Sequence, residues 1–308
     1  MSLIEKVIEK TAKIAAQGRV DLGTDSPSVE RKAIIRPAES AAEAAMQRQE
    51  VARPPQPGTA QSQLFELDTR AMAIKGLILP ETGYTRTAEE YRRIKHPLLR
   101  RAFGGESPQN VIMVTSSVPN EGKTFSAVNL AISIAMELDR TALLIDLDIA
   151  KNGVSDALGL GDKRGVVDVL ISQGSIGLSD VMLKTSIPKL SVLPAGTKDF
   201  NISELYSSQT MVEMMQDLAT RFSDRVIIID APPMVSTSEA RVLIDLVDQV
   251  VFVVEAEKTS KHLVEETLAQ IDKAKLAGVL LNKTNQRVVA DSYYGSYDYG
   301  GAVEQSSG

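Results

Sequence analysis

Six short, nearly unbroken apolar runs follow residue 110: VIMV (111–114), ALLIDLD (142–148), LSVLPA (190–195), VIIID (226–230), VVFVVE (250–255) and AGVLLN (277–282). Runs of this length, rich in Val, Ile and Leu, fit strands that are covered on both faces. Between them, apolar residues recur at helical spacing over 123–137, 208–222, 236–246 and 259–273. Strand–helix alternation predicts an α/β domain with a doubly wound, mostly parallel sheet and helices on both faces. Right-handed crossovers then place the strand C-termini on one edge, where such sheets bind ligands.

Upstream the pattern changes. Leu3, Ile4, Val7, Ile8 and Ile14 recur at helical spacing, so residues 2–16 read as an amphipathic helix. Charges interrupt its apolar stretch, which argues against a signal peptide. Its mixed polar face suits a protein contact better than a lipid surface. Residues 36–63, RPAESAAEAAMQRQEVARPPQPGTAQSQ, are rich in Ala, Gln and Pro and read as a flexible linker. The expected organisation is an N-terminal helix and extension over 1–35, the linker over 36–63, an α/β domain over 64–290 and a tyrosine-rich, disordered tail over 291–308.

Composition narrows the chemistry. With 4% aromatics and no Trp in 308 residues, the core must be aliphatic. A balance of 34 Lys+Arg against 40 Asp+Glu, net −6, does not point to nucleic acid. The absence of Cys removes disulfides, thiolate zinc sites and thiol nucleophiles. Two histidines, His96 and His262, argue against a His-based metal centre. No apolar run reaches the ~20 residues of a membrane span. A cytoplasmic protein is expected, with any membrane role arising through a partner.

The segment SSVPNEGKTF lies between the first of these strands and a helix. It matches the phosphate-loop pattern G-x-x-x-x-G-K-[ST] at Gly122, Lys123 and Thr124, with Ser117 in place of the first Gly. Loop amides and the helix N-terminus can surround a phosphate. Lys123 is expected on the β/γ-phosphates and Thr124 on Mg²⁺. Asp146 and Asp148, spaced by two in IDLD, would share one face of an extended strand. Asp230 ends VIIID in the Walker B pattern, a position that supports Mg²⁺. Any one acid could simply cap a strand. Acids after two strands beside a GKT loop make a set.

Tyr293, Tyr294, Tyr297 and Tyr299 cluster in DSYYGSYDYGG. A stacking platform for nucleic acid would want basic neighbours; Asp291, Asp298 and Glu304 are acidic and suit a kinase acceptor better. From Asn282 to Tyr293 the chain spans eleven residues, at most roughly 35–40 Å when extended. The tyrosines can therefore reach a site at the strand edge, their own or a neighbour's.

These motifs together resemble the bacterial tyrosine autokinases of polysaccharide export, especially a soluble branch that accompanies exosortase and exopolysaccharide loci. SSVPNEGKT, LLIDLDIAK and IIIDAPP stand as its Walker A, Walker A′ and Walker B segments, and the likeness covers about residues 60–299. It implies a P-loop NTPase fold, ATP and Mg²⁺, and autophosphorylation of the C-terminal tyrosines. Ser117, Pro119, Asn120, Glu121, Gly122, Lys123, Thr124 and Phe125 would then contact ATP, with Asn282 an adenine contact or an ordinary strand-ending turn residue. Thr124, Asp146 and Asp230 would hold the metal. That leaves Asp148 to accept the tyrosine proton, although Asp146 and Asp148 can exchange these roles.

EEYRRIK gives Glu89, Arg92 and Lys95 as the resemblance's oligomerisation helix, with Lys where the family has Arg. Ala150 stands where the family has Arg, followed by Lys151, and Ile202 replaces a Pro in PAGTKDFNISEL. The implied partners are other copies of the chain, in a ring where each tail enters the next subunit. A membrane polysaccharide chain-length determinant or co-polymerase would activate the chain and recruit it to the inner face of the membrane. Two other readings use the same loop. A partition-type ATPase switch wants a signature Lys where Val118 stands. A nucleotide-sensing scaffold for the co-polymerase would use the motifs without protein phosphorylation.

Overall fold

A computed structural model describes residues 64–82, 85–172, 174–197 and 202–284. The amphipathic helix at 2–16, the linker at 36–63 and the tail tyrosines lie outside the described residues. Among the described residues the sheet has eight strands: β1 (Leu64–Phe65), β2 (Val111–Ser116), β3 (Ala142–Asp146), β4 (Leu183–Thr185), β5 (Leu190–Leu193), β6 (Val226–Asp230), β7 (Gln249–Glu255) and β8 (Leu276–Asn282). Their order is β1-β4-β5-β3-β6-β2-β7-β8. All neighbours are parallel except β4 and β5.

The six long apolar runs became β2, β3, β5, β6, β7 and β8. The short strands β1 and β4 carry two and three residues, LF and LKT, too few to show a period. They pair in parallel, Leu64 opposite Lys184 and Phe65 opposite Thr185, and the Ser186 N–H donates to the Phe65 carbonyl at 2.9 Å.

Side-chain alternation divides the interior into two cores. From β2, Val111 and Met113 enter one core while Ile112 and Val114 enter the other. The helix Lys123–Ala135 closes the second core with Val128, Leu130, Ala131, Ile132 and Ile134. The helices Gln209–Arg221 and Glu239–Asp245 close the first with Met211, Met215, Leu218 and Leu243. This is the doubly wound arrangement, and it follows from strands that are apolar on both sides. Ser208 and Ser260 begin their helices by accepting the Met211 and Leu263 amides. No helix among the described residues is long and apolar enough to cross a membrane.

Central strands set the stability. Ile228 of β6 is fully buried in the second core, whereas Leu138 is 96% exposed. Ile228→Ala is expected to cost about 2–5 kcal/mol and Leu138→Ala within about 0.5 kcal/mol of nothing, as read by chemical denaturation. Equal effects would place the core elsewhere.

Candidate active site

The loop Ser117–Gly122 joins β2 to the helix Lys123–Ala135 at the C-terminal edge of the sheet. Two residues turn the chain with positive φ, Asn120 at 70° and Gly122 at 97°. Gly122 also admits a close neighbour: a Cβ there would lie 1.9 Å from Asn282 Nδ2. Only glycine meets both demands without strain.

Tertiary contacts brace the loop from three strands. The Met234 and Val235 amides, just past β6, donate to the Ser116 and Ser117 carbonyls at 2.9 and 3.0 Å. Glu121 is buried, and its side chain points into the protein. Oε2 accepts the Val118 amide at 2.8 Å, and Oε1 accepts the Glu255 amide at 3.2 Å and the Thr259 hydroxyl. Asn282, ending β8, donates Nδ2 to the Glu121 carbonyl at 2.9 Å. Of two residues expected on ATP, Glu121 thus has its carboxylate committed to bracing, and Asn282 gives one side-chain N–H to the loop. Neither commitment has a signal in the sequence, because Glu255 and Thr259 stand more than a hundred residues away.

Behind the loop sits one buried ammonium among three buried carboxylates. Lys123, 2% exposed, donates Nζ to Asp148 Oδ2 and lies 3.4 Å from Asp230 Oδ1. Asp146 and Asp230 are register partners on adjacent strands. The expectation that Asp146 and Asp148 share a strand face needs correction. β3 ends at Asp146, whose Oδ1 and Oδ2 accept the amides of Asp148 and Val154 at 3.0 and 2.9 Å. Those bonds turn the chain and deliver Asp148 to Lys123. Tyr206 secures the same turn by donating its hydroxyl to the Leu147 carbonyl, and burial pushes that phenol well up from its ordinary value.

The charges respond to this crowding. Burial first, and the Asp230 charge second, push the Asp146 carboxyl well above the usual aspartate range, against the pull of its two amide donors. Burial also raises Asp230, with Lys123 opposing it. For Lys123, burial disfavours the ammonium, but the charges of Asp230, Asp148 and Asp146 and the Asp148 hydrogen bond together hold its pKa above the ordinary lysine value.

Thr124 Oγ1 and Asp230 Oδ2 are buried and neither makes a well-formed hydrogen bond, although the Thr124 hydroxyl lies near enough to Asp230 to pull its carboxyl down. A hydroxyl and a carboxylate oxygen are hard donors that suit Mg²⁺. Among the described residues no group of three or more His, Cys, Asp or Glu is placed to hold a metal. An ion at Thr124 and Asp230 would therefore complete its shell with ligand and water oxygens, as Mg²⁺ does on phosphates.

A cavity of about 300 Å³ opens over this point, between the loop, the helix start at Lys123–Phe125, Lys151 and Lys283. Its lining holds three lysines and no carboxylate. Of the remaining predicted contacts, Asn120 and Phe125 reach this lining, Pro119 is exposed, and Ser117 is buried with its hydroxyl without a partner. Lys151, beside Ala150, donates Nζ to Asn120 Oδ1 at 3.1 Å.

The helix Arg86–Phe103 divides the expected interface set. Glu89 and Arg92 are exposed and paired at 3.0 Å. Lys95 instead turns inward, 4% exposed, to the Ser133 carbonyl and the Glu137 carboxylate, each at 2.6 Å. Six residues along an α-helix end about 120° around from the start, so Glu89 and Lys95 diverge. Of the three residues expected at an interface, Glu89 and Arg92 pair with each other and Lys95 is buried apart from them.

Residues 109–286 match the AAA_31 family, an AAA domain. The tyrosine-protein kinase YwqD of Bacillus subtilis (strain 168) is 31% identical over 214 residues, 68% of this chain and 86% of that one. The succinoglycan biosynthesis transport protein ExoP of Rhizobium meliloti (strain 1021) is 31% identical over 64% of this chain and 25% of its own length. The crystal structure of the VpsO kinase domain superposes with a TM-score of 0.56 at 34% identity, over 65% of this chain and 95% of that one.

Two measurements test the geometry. Gly122→Ala should strain the loop and weaken nucleotide binding by about tenfold or more, since a disfavoured left-handed backbone costs of order 1–3 kcal/mol; unchanged titration of a fluorescent nucleotide would contradict the Asn282 contact. In carboxyl ¹³C NMR of the nucleotide-free chain, Asp146 should titrate above exposed aspartates. Its folded pKa is raised, so its stabilising contribution is complete below the ordinary aspartate value and is lost as pH rises through the folded value.

Proposed function

Because the chain belongs to the AAA_31 family and to the bacterial tyrosine-protein kinases within it, we propose that it transfers the terminal phosphoryl group of ATP to tyrosines of its own C-terminal cluster. The observation that carries the reading is the cavity at the loop: a lining with three lysines and no carboxylate, a helix N-terminus, and the buried Thr124 hydroxyl close to the Asp230 carboxylate.

Lys123 and the loop amides hold the β- and γ-phosphates. Thr124 and Asp230 would hold Mg²⁺, with Asp146 beside them fixing the turn. Bound Mg²⁺ neutralises charge on the phosphates. Phosphoryl transfer proceeds through a loose transition state, so positioning and charge stabilisation do most of the work. Lys123 is shared: as its ammonium turns to the phosphates, Asp148 is released from its ion pair. Asp148 then orients the tyrosine hydroxyl, whose pKa is about 10, and accepts its proton. The new bond joins the phenolic oxygen to the γ-phosphorus, the bond to the β–γ bridging oxygen breaks, and ADP leaves.

The tail's route supports tyrosine as acceptor. β8 ends at Asn282, which is already hydrogen-bonded to the loop. Tyr293 follows Asn282 by eleven residues, and that stretch reaches at most roughly 35–40 Å. The same reach allows transfer to a neighbouring copy in an oligomer, with Glu89 and Arg92 on the contact surface. ExoP, a relative named for succinoglycan transport, supports a place in exopolysaccharide synthesis, with a membrane co-polymerase as the activating partner at the inner face of the membrane.

Purified chain incubated with Mg-ATP should carry phosphate on Tyr293, Tyr294, Tyr297 or Tyr299 by mass spectrometry, and Lys123→Met should carry none. Asp148→Asn should slow transfer by roughly 10²–10⁴-fold while still binding ATP. Hydrolysis without phosphotyrosine, even with a co-polymerase's cytoplasmic segment added, would return the chain to the switch or scaffold readings.

A further inference from the structure

Lys283 belongs to no motif, yet it lines the same cavity as Lys123 and Thr124. It directly follows β8, and its backbone sits at φ 56°, a left-handed conformation that a non-glycine residue adopts at a cost. The tight turn aims its side chain back at the loop. Nζ donates to the Asn120 carbonyl at 2.6 Å and lies 3.3 Å from the Glu255 carboxylate. An ammonium has three donors, and these two neighbours leave one for a ligand. The side chain is 46% exposed, so no packing holds it rigidly.

Its neighbours connect back to the loop. Asn120, itself at positive φ, takes Lys283 on its carbonyl and Lys151 on its side chain. Glu255 offers its amide to Glu121 and its carboxylate to Lys258 and Lys283. Two cations thus flank one loop residue at the mouth of a cavity whose lining has no carboxylate, with Glu255 outside that lining and shared between Lys283 and Lys258. Lys123 at the cavity floor is largely neutralised by Asp148 and Asp230. A triply or quadruply charged polyphosphate needs more positive charge than Lys123 supplies, and Lys283 is placed to give it.

We propose that Lys283 is a polyphosphate-binding residue of this site, joining the nucleotide directly to the strand end from which the tyrosine segment departs. The proposal rests on the nucleotide reading of the cavity and adds a contact to it. Tyr293 follows Lys283 by ten residues, so the acceptor segment begins its course on a residue that holds the donor.

The test is calorimetric binding of Mg-ADP, Mg-ATP and inorganic tripolyphosphate to the full chain and to Lys283→Met and Lys283→Arg. Loss of one charge-assisted contact should weaken each ligand by about tenfold or more, and Lys283→Arg should recover most of the affinity. Thermal unfolding of the free variants should match the unaltered chain, because the side chain is half-exposed. Tight binding by the unaltered chain with no change in Lys283→Met overturns the inference and leaves the proposed function standing. Equal weakening by Met and Arg also overturns it, since shape rather than charge would then matter. Failure of the unaltered chain to bind any of the three ligands overturns the nucleotide reading and the inference with it.

Discussion

A single buried ammonium faces three buried carboxylates at the C-terminal edge of the sheet, and the surrounding structure is arranged to tolerate that excess of negative charge. Lys123 alone cannot balance Asp146, Asp148 and Asp230. Two backbone amides take up Asp146, an ion pair takes up Asp148, and Asp230 has only the more distant Lys123 ammonium and the nearby Thr124 hydroxyl. A buried charge that lacks compensation is costly. A divalent cation, as proposed for this site, would relieve that cost. In the proposed mechanism these same crowded charges are the groups that act.

The second requirement is a loop that stays open to phosphate while its own polar groups are satisfied. Short loops rarely hold such a shape by themselves. Here Glu121 is inverted into the protein, so that the loop is bolted to the end of β7, and Asn282 bolts it to the end of β8. The parallel sheet makes this possible, because it places the C-termini of β2, β6, β7 and β8 side by side. Nucleotide loop, acidic turn and departure point of the tail are neighbours for one topological reason.

Much of the site could be read from residue order. Glycine, lysine and threonine before an apolar helix carry their meaning locally, since the turn and the helix N-terminus form from adjacent residues. An aspartate ending an apolar strand has its place set by the strand. Side chains with two plausible directions were less legible. Glu121 lies within the loop, and nothing local says whether it faces phosphate or core. Lys95 follows Arg92 by three residues, and helical geometry alone does not say which way the helix is rolled on the sheet. Asp148 looked like a strand residue until Asp146 ended the strand by capturing its amide.

The amino-acid sequence by itself determined the doubly wound architecture, the phosphate loop and the acids that accompany it, because periodicity, turn chemistry and strand-end position are encoded in neighbouring residues. Only the tertiary structure decided which groups line the cavity and which hold the loop in place. The inversion of Glu121, the capture of Asn282 and the position of Lys283 beside Asn120 join segments more than a hundred residues apart. Such contacts depend on strand order and register, which no local pattern specifies.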